Sequence, residues 1–252
     1  MTLARVIHPY NPGEDRQALV VAMDIDAEGA VSGARLFRAL VHNHAKLAYN
    51  SVDAWLDGTG QAPTAVEKNP ILAEQLRMQD RAAKRLRRRR NEQGALDLDT
   101  GETRPVLING KVVDLRRDEK NDAKELIEDF MIAANGATAR FLAGKGFSTI
   151  RRVVRDPERW DRIVELAARH GGVLPNVPDS RALEAFLLQR RKADPLRFPD
   201  LSLSVVKLIG KGEYVLEKPG IATGHFGLAV RDYTHSTAPN RRYPDLITQR
   251  LL

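Results

Sequence analysis

Tyr233-Thr234-His235-Ser236-Thr237-Ala238-Pro239-Asn240-Arg241-Arg242-Tyr243-Pro244-Asp245-Leu246 is the stretch that decides how this chain is understood. Adjacent arginines offer planar forks that match phosphate oxygens, and Thr, Ser and His side chains can donate to further oxygens. Pro239 fixes one backbone angle beneath the arginines, and Pro244 suits the first turn of a helix, whose N-terminus also favours an anion. The stretch therefore predicts a phosphate-binding corner. A surface turn followed by an ordinary helix cap is the alternative.

The composition favours a globular protein with an anionic partner. The chain has 252 residues, of which 42% are hydrophobic, and its 40 Lys and Arg against 33 Asp and Glu give a net charge of +7. A basic balance of this kind favours nucleic acid. The absence of cysteine excludes a disulfide framework and cysteine-ligated zinc or iron–sulfur sites, and it fits a reducing cytosol. Because no apolar run approaches the ~18 residues of a membrane helix, we expect a soluble cytoplasmic protein.

The first half of the chain predicts a hairpin followed by helices. Residues 1–16 contain Pro9, Pro12 and Gly13, which predict an approach segment without regular structure. Alternating apolar residues predict a strand over 17–26 and a hairpin partner over 34–40. Apolar residues at helical spacing predict helices over 41–56 and 70–92. The second helix ends in Arg87-Arg88-Arg89-Arg90, a run typical of a solvated helix end, with phosphate contact as the alternative.

The second half predicts a mixture of strands and helices. Asn109-Gly110 between two β-branched runs predicts a hairpin, and an apolar stripe predicts a long helix over 122–143. The remaining predicted strands are 95–99, 148–154, 214–216 and 226–230. The remaining predicted helices run from Asp156-Pro157 to 170, over 182–190 with Ser180 as cap, over 201–209, and from Pro244 onward. The alternation predicts an α+β (mixed α/β) fold, with short β-hairpins and a sheet covered by several helices.

Four stretches resemble the ribonuclease II / ribonuclease R family of processive 3′-to-5′ exoribonucleases. The stretch quoted first is similar to the family's Y-T-H-F-T-S-P-I-R-R-Y-P-D-L, and it departs from it at Ser236, Ala238 and Asn240. The other three are Lys46-Leu47-Ala48-Tyr49, which resembles K-L-x-Y, residues 126–135, which resemble L-I-E-E-F-M-x-x-A-N, and residues 11–16, which resemble N-P-G-x-D-R. The resemblance covers nearly the whole chain.

The resemblance implies a role for each matching residue. Arg241 is the implied catalytic residue, and it would stabilise charge on the scissile phosphate of single-stranded RNA. Tyr49 and Glu128 would seat the 3′-terminal nucleotide. The other implied RNA-binding residues are His235, Thr237 and Arg242. The reaction implied is hydrolysis to nucleoside monophosphates, assisted by Mg²⁺.

The resemblance covers only part of the family's catalytic domain. The family's Mg²⁺-binding aspartates precede the point where this chain begins, so no metal ligand is assigned here. Asp24 and Asp26 are interpreted as solvated acids at a strand end. OB-type RNA-binding domains are also missing, and the last helix is expected to be cut at residue 252.

We therefore expect residues 1–252 to form one partial domain: a fragment, a truncated reading frame or half of a split enzyme. Its metal site would lie on a missing segment or a separate chain. The alternative is a non-catalytic RNA-binding module derived from such a nuclease. The departures at Ser236, Ala238 and Asn240 leave that alternative open, as does Leu98, which stands where the family often has an aromatic residue.

Overall fold

A computed structural model describes residues 2–5, 12–99, 103–108, 110–117 and 121–252. The strands are β1 (Thr2–Arg5), β2 (Asp15–Ile25), β3 (Val31–His42), β4 (Thr103–Ile108), β5 (Lys111–Arg117), β6 (Thr149–Val153) and β7 (Glu213–Glu217). The helices are α1 (Tyr49–Leu56), α2 (Thr64–Glu67), α3 (Pro70–Glu92), α4 (Asp122–Gly144), α5 (Trp160–Arg169), α6 (Ser180–Ala193), α7 (Phe198–Ile209) and α8 (Tyr243–Arg250). Antiparallel strand pairs accompanied by these helices confirm the α+β prediction. None of the described helices is long and apolar enough to cross a membrane.

The first sheet has the strand order β1-β2-β3, with both pairs antiparallel. Val21 and Met23 on β2 pack against Ala134 and Ala137 of α4, so the sheet lies on that helix. The expectation that residues 1–16 lack regular structure is wrong for β1, which pairs along the edge of β2 from Thr2 opposite Ala22 onward. Residues 6–11, including Pro9, lie outside the described ranges.

The helix predicted over 41–56 begins only at Tyr49, because β3 continues to His42. The amide of Gly13 donates to the carbonyl of Asn43 at 2.8 Å, and the amide of Asn43 donates to the carbonyl of Glu14 at 3.4 Å. Pairing with a strand far away in sequence therefore satisfies this backbone, although the local spacing of apolar residues favours a helix.

The long helices α3 and α4 match their predicted positions closely, and both begin at an asparagine cap. Asn69 accepts from the amide of Leu72 at 3.1 Å, and Asn121 accepts from the amide of Lys124 at 3.0 Å. Caps and periodicity are local signals, which is why the sequence locates these helices well.

The arginine run at the end of α3 is only partly a solvated face. Arg88 is exposed, but Arg87 and Arg90 turn inward and both bind the carboxylate of Asp129 on α4, a residue that is 2% exposed. These two arginines therefore join α3 to α4.

The C-terminal half contains a helical layer and a two-stranded sheet. Helices α5, α6 and α7 share a core that includes Ile163, Leu183 and Val205, and β6 pairs with β7 beside it. Leu98 packs against that helical core. The strand predicted over 95–99 is absent, since the amides of Leu96 and Asp97 donate to a loop carbonyl and to Glu184 rather than to a strand.

Three predicted element boundaries in this half are wrong. Helix α5 begins at Trp160, because Pro157 accepts from the amide of Trp160 in a preceding turn. Asp179, not Ser180, caps α6 by accepting hydrogen bonds from the amides of Arg181 and Ala182, and α7 begins at Phe198. The last helix, α8, runs from Tyr243 to Arg250. The expectation that it continues beyond residue 252 stays a prediction.

Two turns also bear on the predictions. The hairpin of β4 and β5 is confirmed, with Gly110 at φ 74°, while Asn109 lies outside the described ranges. The strand predicted over 226–230 is a single 3₁₀ turn, Phe226–Leu228. Ala229 follows it at φ 51°, a left-handed conformation that is rare for alanine.

Candidate nucleic-acid interface

Residues 233–242, called the signature loop below, are attached to α4 by one buried asparagine. The side-chain oxygen Oδ1 of Asn135 accepts from both the backbone amide and the hydroxyl of Ser236, at 3.0 Å and 2.9 Å. Its amide group lies 3.5 Å from the hydroxyl of Tyr233. Asn135 is 2% exposed, so these bonds are made away from water. Position 135 thus fixes the middle of the loop against the long helix.

The start of the signature loop is fixed to β6. The Thr234 hydroxyl donates to the carbonyl of Ile150 at 2.6 Å, and the amide of Arg152 donates to the carbonyl of Tyr233 at 3.0 Å. Thr234 is 0% exposed. The sequence interpretation of Thr234 and Ser236 as phosphate donors is therefore wrong, because both hydroxyls are used inside the protein.

The end of the signature loop is fixed by α8. Oδ1 of Asp245 accepts from the amide of Ala238 at 2.7 Å and from Nη2 of Arg242 at 2.8 Å. The side chain of Gln249 donates to the carbonyl of Ser236 at 2.6 Å. Because Asp245 is 0% exposed, its carboxylate joins the loop to the first turn of the helix from a buried position.

The adjacent arginines have different environments. Arg242 is only 27% exposed, and besides Asp245 its Nη2 lies 3.4 Å from the hydroxyl of Thr237, which is itself buried. Arg241 is exposed, and within the described part of the chain its guanidinium has no hydrogen bond or salt bridge. Of these two arginines, Arg241 is thus the one that can meet an incoming anion without first giving up a partner among the described residues.

His235 is partly buried among aromatic rings. Its Nδ1 lies 2.8 Å from the Tyr214 hydroxyl, and its ring makes edge contacts with Tyr214 and Tyr233. Burial, reinforced by the nearby charge of Arg242, lowers the pKa of His235 to about 4. At neutral pH this imidazole is uncharged, so it offers a hydrogen bond rather than ionic attraction to a phosphate.

The Tyr233 phenol lies between charges of both signs. Burial raises its pKa, the charge of Glu128 also raises it, and the charge of Arg242 lowers it. Glu128 itself is exposed on α4. The fold thus places Glu128, Arg242 and His235 around Tyr233, although they come from two regions of the sequence about a hundred residues apart.

Tyr49 lies at the first residue of α1 with its side chain 48% exposed. Helix α1 is fixed to the beginning of α4, where Asp53 accepts from the amide of Ala123 at 3.3 Å. Glu128 is five residues further along α4, about 8 Å at 1.5 Å per residue. No hydrogen bond or ring contact among the described residues links Tyr49 to the cluster around Tyr233.

The described carboxylates do not fit a metal site at the signature loop. Asp245 and Asp129 are each engaged by arginine, and Asp26 caps its own turn by accepting from the amides of Glu28 and Ala30. Among the residues that the structure describes, no group of three or more His, Cys, Asp or Glu side chains is arranged to hold a metal. The expectation that the aspartate ligands lie elsewhere stays a prediction.

The sequence interpretation did not assign roles to the residues that hold the signature loop. They are Asn135, Arg152, Tyr214, Asp245 and Gln249. Asn135 carried a usable signal, since asparagine is unfavourable inside a helix unless its side chain is bonded. Tyr214 and Gln249 carried none, because their partners are far away in the sequence.

Comparisons with known proteins agree with this fold. The RNB domain family matches residues 2–252. Exoribonuclease 2 of Cronobacter sakazakii is 32% identical over 95% of this chain and 37% of its own length, and ribonuclease R of Vibrio cholerae is 31% identical over 96% and 29%. The chain thus spans about a third of the length of these relatives.

Solved structures share the fold of this chain. The apo form of Mycoplasma genitalium RNase R superposes with a TM-score of 0.82 at 22% identity, covering 96% of this chain and 37% of that one. Yeast Ssd1, described as a pseudonuclease, superposes with a TM-score of 0.66 at 16% identity, covering 96% and 29%. The chain therefore belongs to the RNB domain family, together with ribonuclease R and exoribonuclease 2.

Proposed function

We propose that this chain carries the nucleotide seat and the phosphate-binding arginine of a 3′-to-5′ exoribonuclease that hydrolyses single-stranded RNA to nucleoside monophosphates. The observation that carries the proposal is the guanidinium of Arg241, which is exposed and has no partner among the described residues, on a loop fixed by α4, β6 and α8. A rigid support matters because an arginine stabilises a transition state only where its position is already set. Mycoplasma genitalium RNase R, which has the same fold, has been solved in complex with ribose methylated single-stranded RNA.

Each site residue has a distinct role in this proposal. The Arg241 fork meets the scissile phosphate and stabilises charge that develops there. Tyr49 presents an exposed ring on which any terminal base can stack. Glu128 is an exposed carboxylate that can accept from the hydroxyls of the terminal ribose, which distinguishes RNA from DNA at that position. These three side chains face solvent, so RNA does not have to break protein contacts to reach them.

The remaining predicted RNA-binding residues act around the Arg241 position. His235 offers a neutral hydrogen-bonding group, and Thr237 and Arg242 shape the corner from below. Arg242 contributes positive field at the phosphate while it remains bonded to Asp245. In this proposal Arg242 acts as a positioning residue more than as a direct RNA ligand.

The hydrolytic step belongs to a larger protein or assembly in this proposal. The chemistry that Mg²⁺ would supply is an activated water and stabilisation of negative charge at the phosphate. Because no group of three or more acids and histidines among the described residues is arranged to hold a metal, the Mg²⁺ ligands are proposed to lie on a segment or chain beyond residues 1–252. Residues 1–252 would form one partial RNB-type domain acting in the cytoplasm.

A non-catalytic RNA-binding module is the second candidate. Two observations favour it: no described carboxylate group fits a metal, and yeast Ssd1, described as a pseudonuclease, has the same fold. In that case Arg241, Tyr49 and Glu128 would bind an RNA end without cutting it.

The test uses a 5′-labelled single-stranded oligoribonucleotide with the purified chain, in Mg²⁺ and in EDTA. We expect a gel shift that weakens about tenfold in R241Q and is unchanged in R250Q, since Arg250 is also exposed and lies at the other end of α8. A Mg²⁺-dependent ladder from the 3′ end would support the enzyme but overturn the placement of the metal ligands outside this chain, and any such cleavage should fall ~10²–10³-fold in R241Q. Binding without cleavage is the result that both candidates predict for this chain alone, since the proposed metal ligands lie outside it. Equal binding by R241Q and wild type would refute the role of Arg241 in both.

A further inference from the structure

A basic cavity lies beside the signature loop and plays no part in the function proposed above. It has a volume of about 560 Å³. Its walls come from the β2–β3 turn, the end of α3, the middle of α4, the start of α6 and residues 229–232. The lining includes five arginines and two acids: Arg89, Arg90, Arg140, Arg181, Arg231, Asp129 and Asp232. The volume is within the range of small-molecule sites, ~300–1,000 Å³.

Most of this positive charge is not neutralised inside the protein. Asp129 is already bound by arginines of α3, and Asp232 lies 3.9 Å from the buried Arg151. Within the described part of the chain, the other four lining guanidiniums have no hydrogen bond or salt bridge; they are Arg89, Arg140, Arg181 and Arg231. Nε of Arg90 is buried and has no hydrogen-bond partner in the same part of the chain. Like charges drawn together from four elements repel one another unless an anion joins them.

The floor of the cavity is kept open by a glycine inside α4. A Cβ at Gly136 would lie 3.3 Å from Nη1 of Arg140 and 3.4 Å from the carbonyl of Asp232. Glycine is less favourable than alanine inside a helix. Its presence here lets the Arg140 fork and the 229–232 backbone approach the helix closely, which brings Arg140 and Arg231 to the same cavity.

The cavity is separate from the Arg241 corner. Asn135 faces the signature loop and Gly136 faces the cavity, so the two sites lie on faces of α4 that are about 100° apart. No residue of the signature loop itself lines the cavity. A ligand in the cavity would therefore be bound by a different set of arginines.

We propose that this cavity binds the phosphate group of a nucleotide. Arginine forks match phosphate oxygens bidentately, and several forks from different elements can surround one phosphate. The phosphate can come from a free nucleoside monophosphate or from the backbone of an RNA strand. The cavity is large enough for a whole mononucleotide. Its excess of arginines over acids makes binding depend strongly on salt.

The experiment measures binding of three probes by the purified chain: inorganic phosphate, adenosine 5′-monophosphate and a single-stranded oligoribonucleotide. The test variant is R140Q/R231Q. The matched control is R159Q/R162Q, which makes the same charge change at exposed positions of and next to α5, outside the cavity. We expect at least a tenfold loss of affinity in the test variant and none in the control. A loss confined to adenosine monophosphate and phosphate identifies a free nucleotide, and a loss confined to the oligonucleotide identifies the RNA strand.

A second variant keeps the test valid if the double variant folds poorly. G136A replaces a helical glycine by the best helix former, so the helix is retained while the cavity floor rises. It should weaken binding of the same probes without lowering the midpoint of thermal unfolding. Affinities that change equally in R140Q/R231Q and R159Q/R162Q overturn the proposal. So does phosphate or adenosine monophosphate binding that R241Q abolishes and R140Q/R231Q leaves intact, since the anion site would then be the signature loop.

Discussion

R241Q is expected to weaken RNA binding and R242Q is expected to weaken folding, although the two arginines are adjacent. R241Q removes an exposed fork with no protein partner in the described part of the chain, so RNA binding should weaken while folding is unaffected. R242Q removes one member of a partly buried ion pair with Asp245, so folding should weaken first. The reasoning rests on the environment of each side chain, since the two substitutions are chemically identical.

The magnitudes follow from burial. Breaking a fully buried ion pair costs ~3–5 kcal/mol, and breaking an exposed pair costs ~0–1 kcal/mol. Asp245 is 0% exposed and Arg242 is 27% exposed, so solvent screens one partner only. We therefore expect R242Q to lower the free energy of unfolding by about 2 kcal/mol, which corresponds to ~4–8 °C in Tm for a chain of this size. R241Q should stay within about 0.5 kcal/mol of the wild type.

The assay combines urea denaturation, followed by circular dichroism, with fluorescence anisotropy on a labelled single-stranded oligoribonucleotide well below the Tm of both variants. R250Q serves as the control for loss of one exposed charge. An equal loss of stability in R241Q and R242Q would refute the assignment of Arg242 to the support of the loop. Unchanged RNA affinity in R241Q would refute the exposed fork as an RNA ligand.

Three further predictions test the rest of the support. Asn135→Ala is expected to lower the free energy of unfolding by about 2–4 kcal/mol in urea denaturation, because a buried amide and hydroxyl lose their shared acceptor. The free energy of unfolding should fall as pH drops from 6.5 to about 4, which a pH series of urea denaturation measures. The reason is that His225 and His235 each have a pKa of about 4 in the folded protein, so the unfolded chain takes up protons first. Gly29→Ala should lower the free energy of unfolding by several times the ~1–2 kcal/mol expected for Gly58→Ala, and thermal denaturation compares the two variants. Both glycines have positive φ, but of the two only Gly29 would bring a Cβ against a backbone oxygen, at 2.2 Å.

Each of these predictions has its own control. Ser236→Ala should cost about 1 kcal/mol alone and much less in the Asn135→Ala background, because the hydroxyl bond is then already lost. A His225→Gln/His235→Gln variant should lose the fall in stability between pH 6.5 and 4, whereas replacing the exposed His170 should not. Equal losses at Gly29 and Gly58 would contradict the predicted clash with α3.

Local signals in the sequence located the two long helices. Asn69 and Asn121 are caps, and the apolar periodicity behind each of them spans more than twenty residues. The Asn-Gly turn likewise located the β4–β5 hairpin. These features depend on neighbours in the chain, so the sequence is sufficient to predict them.

Predictions failed where the deciding partner is distant in sequence. Residues 41 and 42 extend β3 because residues 15 and 16 pair with them, and residues 95–99 are held by loop and α6 contacts. The candidate site divides in the same way. The resemblance identified exposed residues such as Arg241 and Glu128 from the sequence. The residues that hold the signature loop in place were not predicted.

The sequence by itself determined the fold class, the family and the stretch in which the candidate site lies. Only the tertiary structure decided which polar groups of that stretch face outward. Thr234 and Ser236 are hydroxyl donors in any sequence pattern, yet their hydrogens are used by Ile150 and Asn135, which are 84 and 101 residues away. The sequence does not distinguish Arg241 from Arg242, but in the structure the buried carboxylate of Asp245 binds Arg242. The physical reason is that a polar side chain inside a protein bonds to whatever the fold brings next to it, and chain order does not record that neighbour.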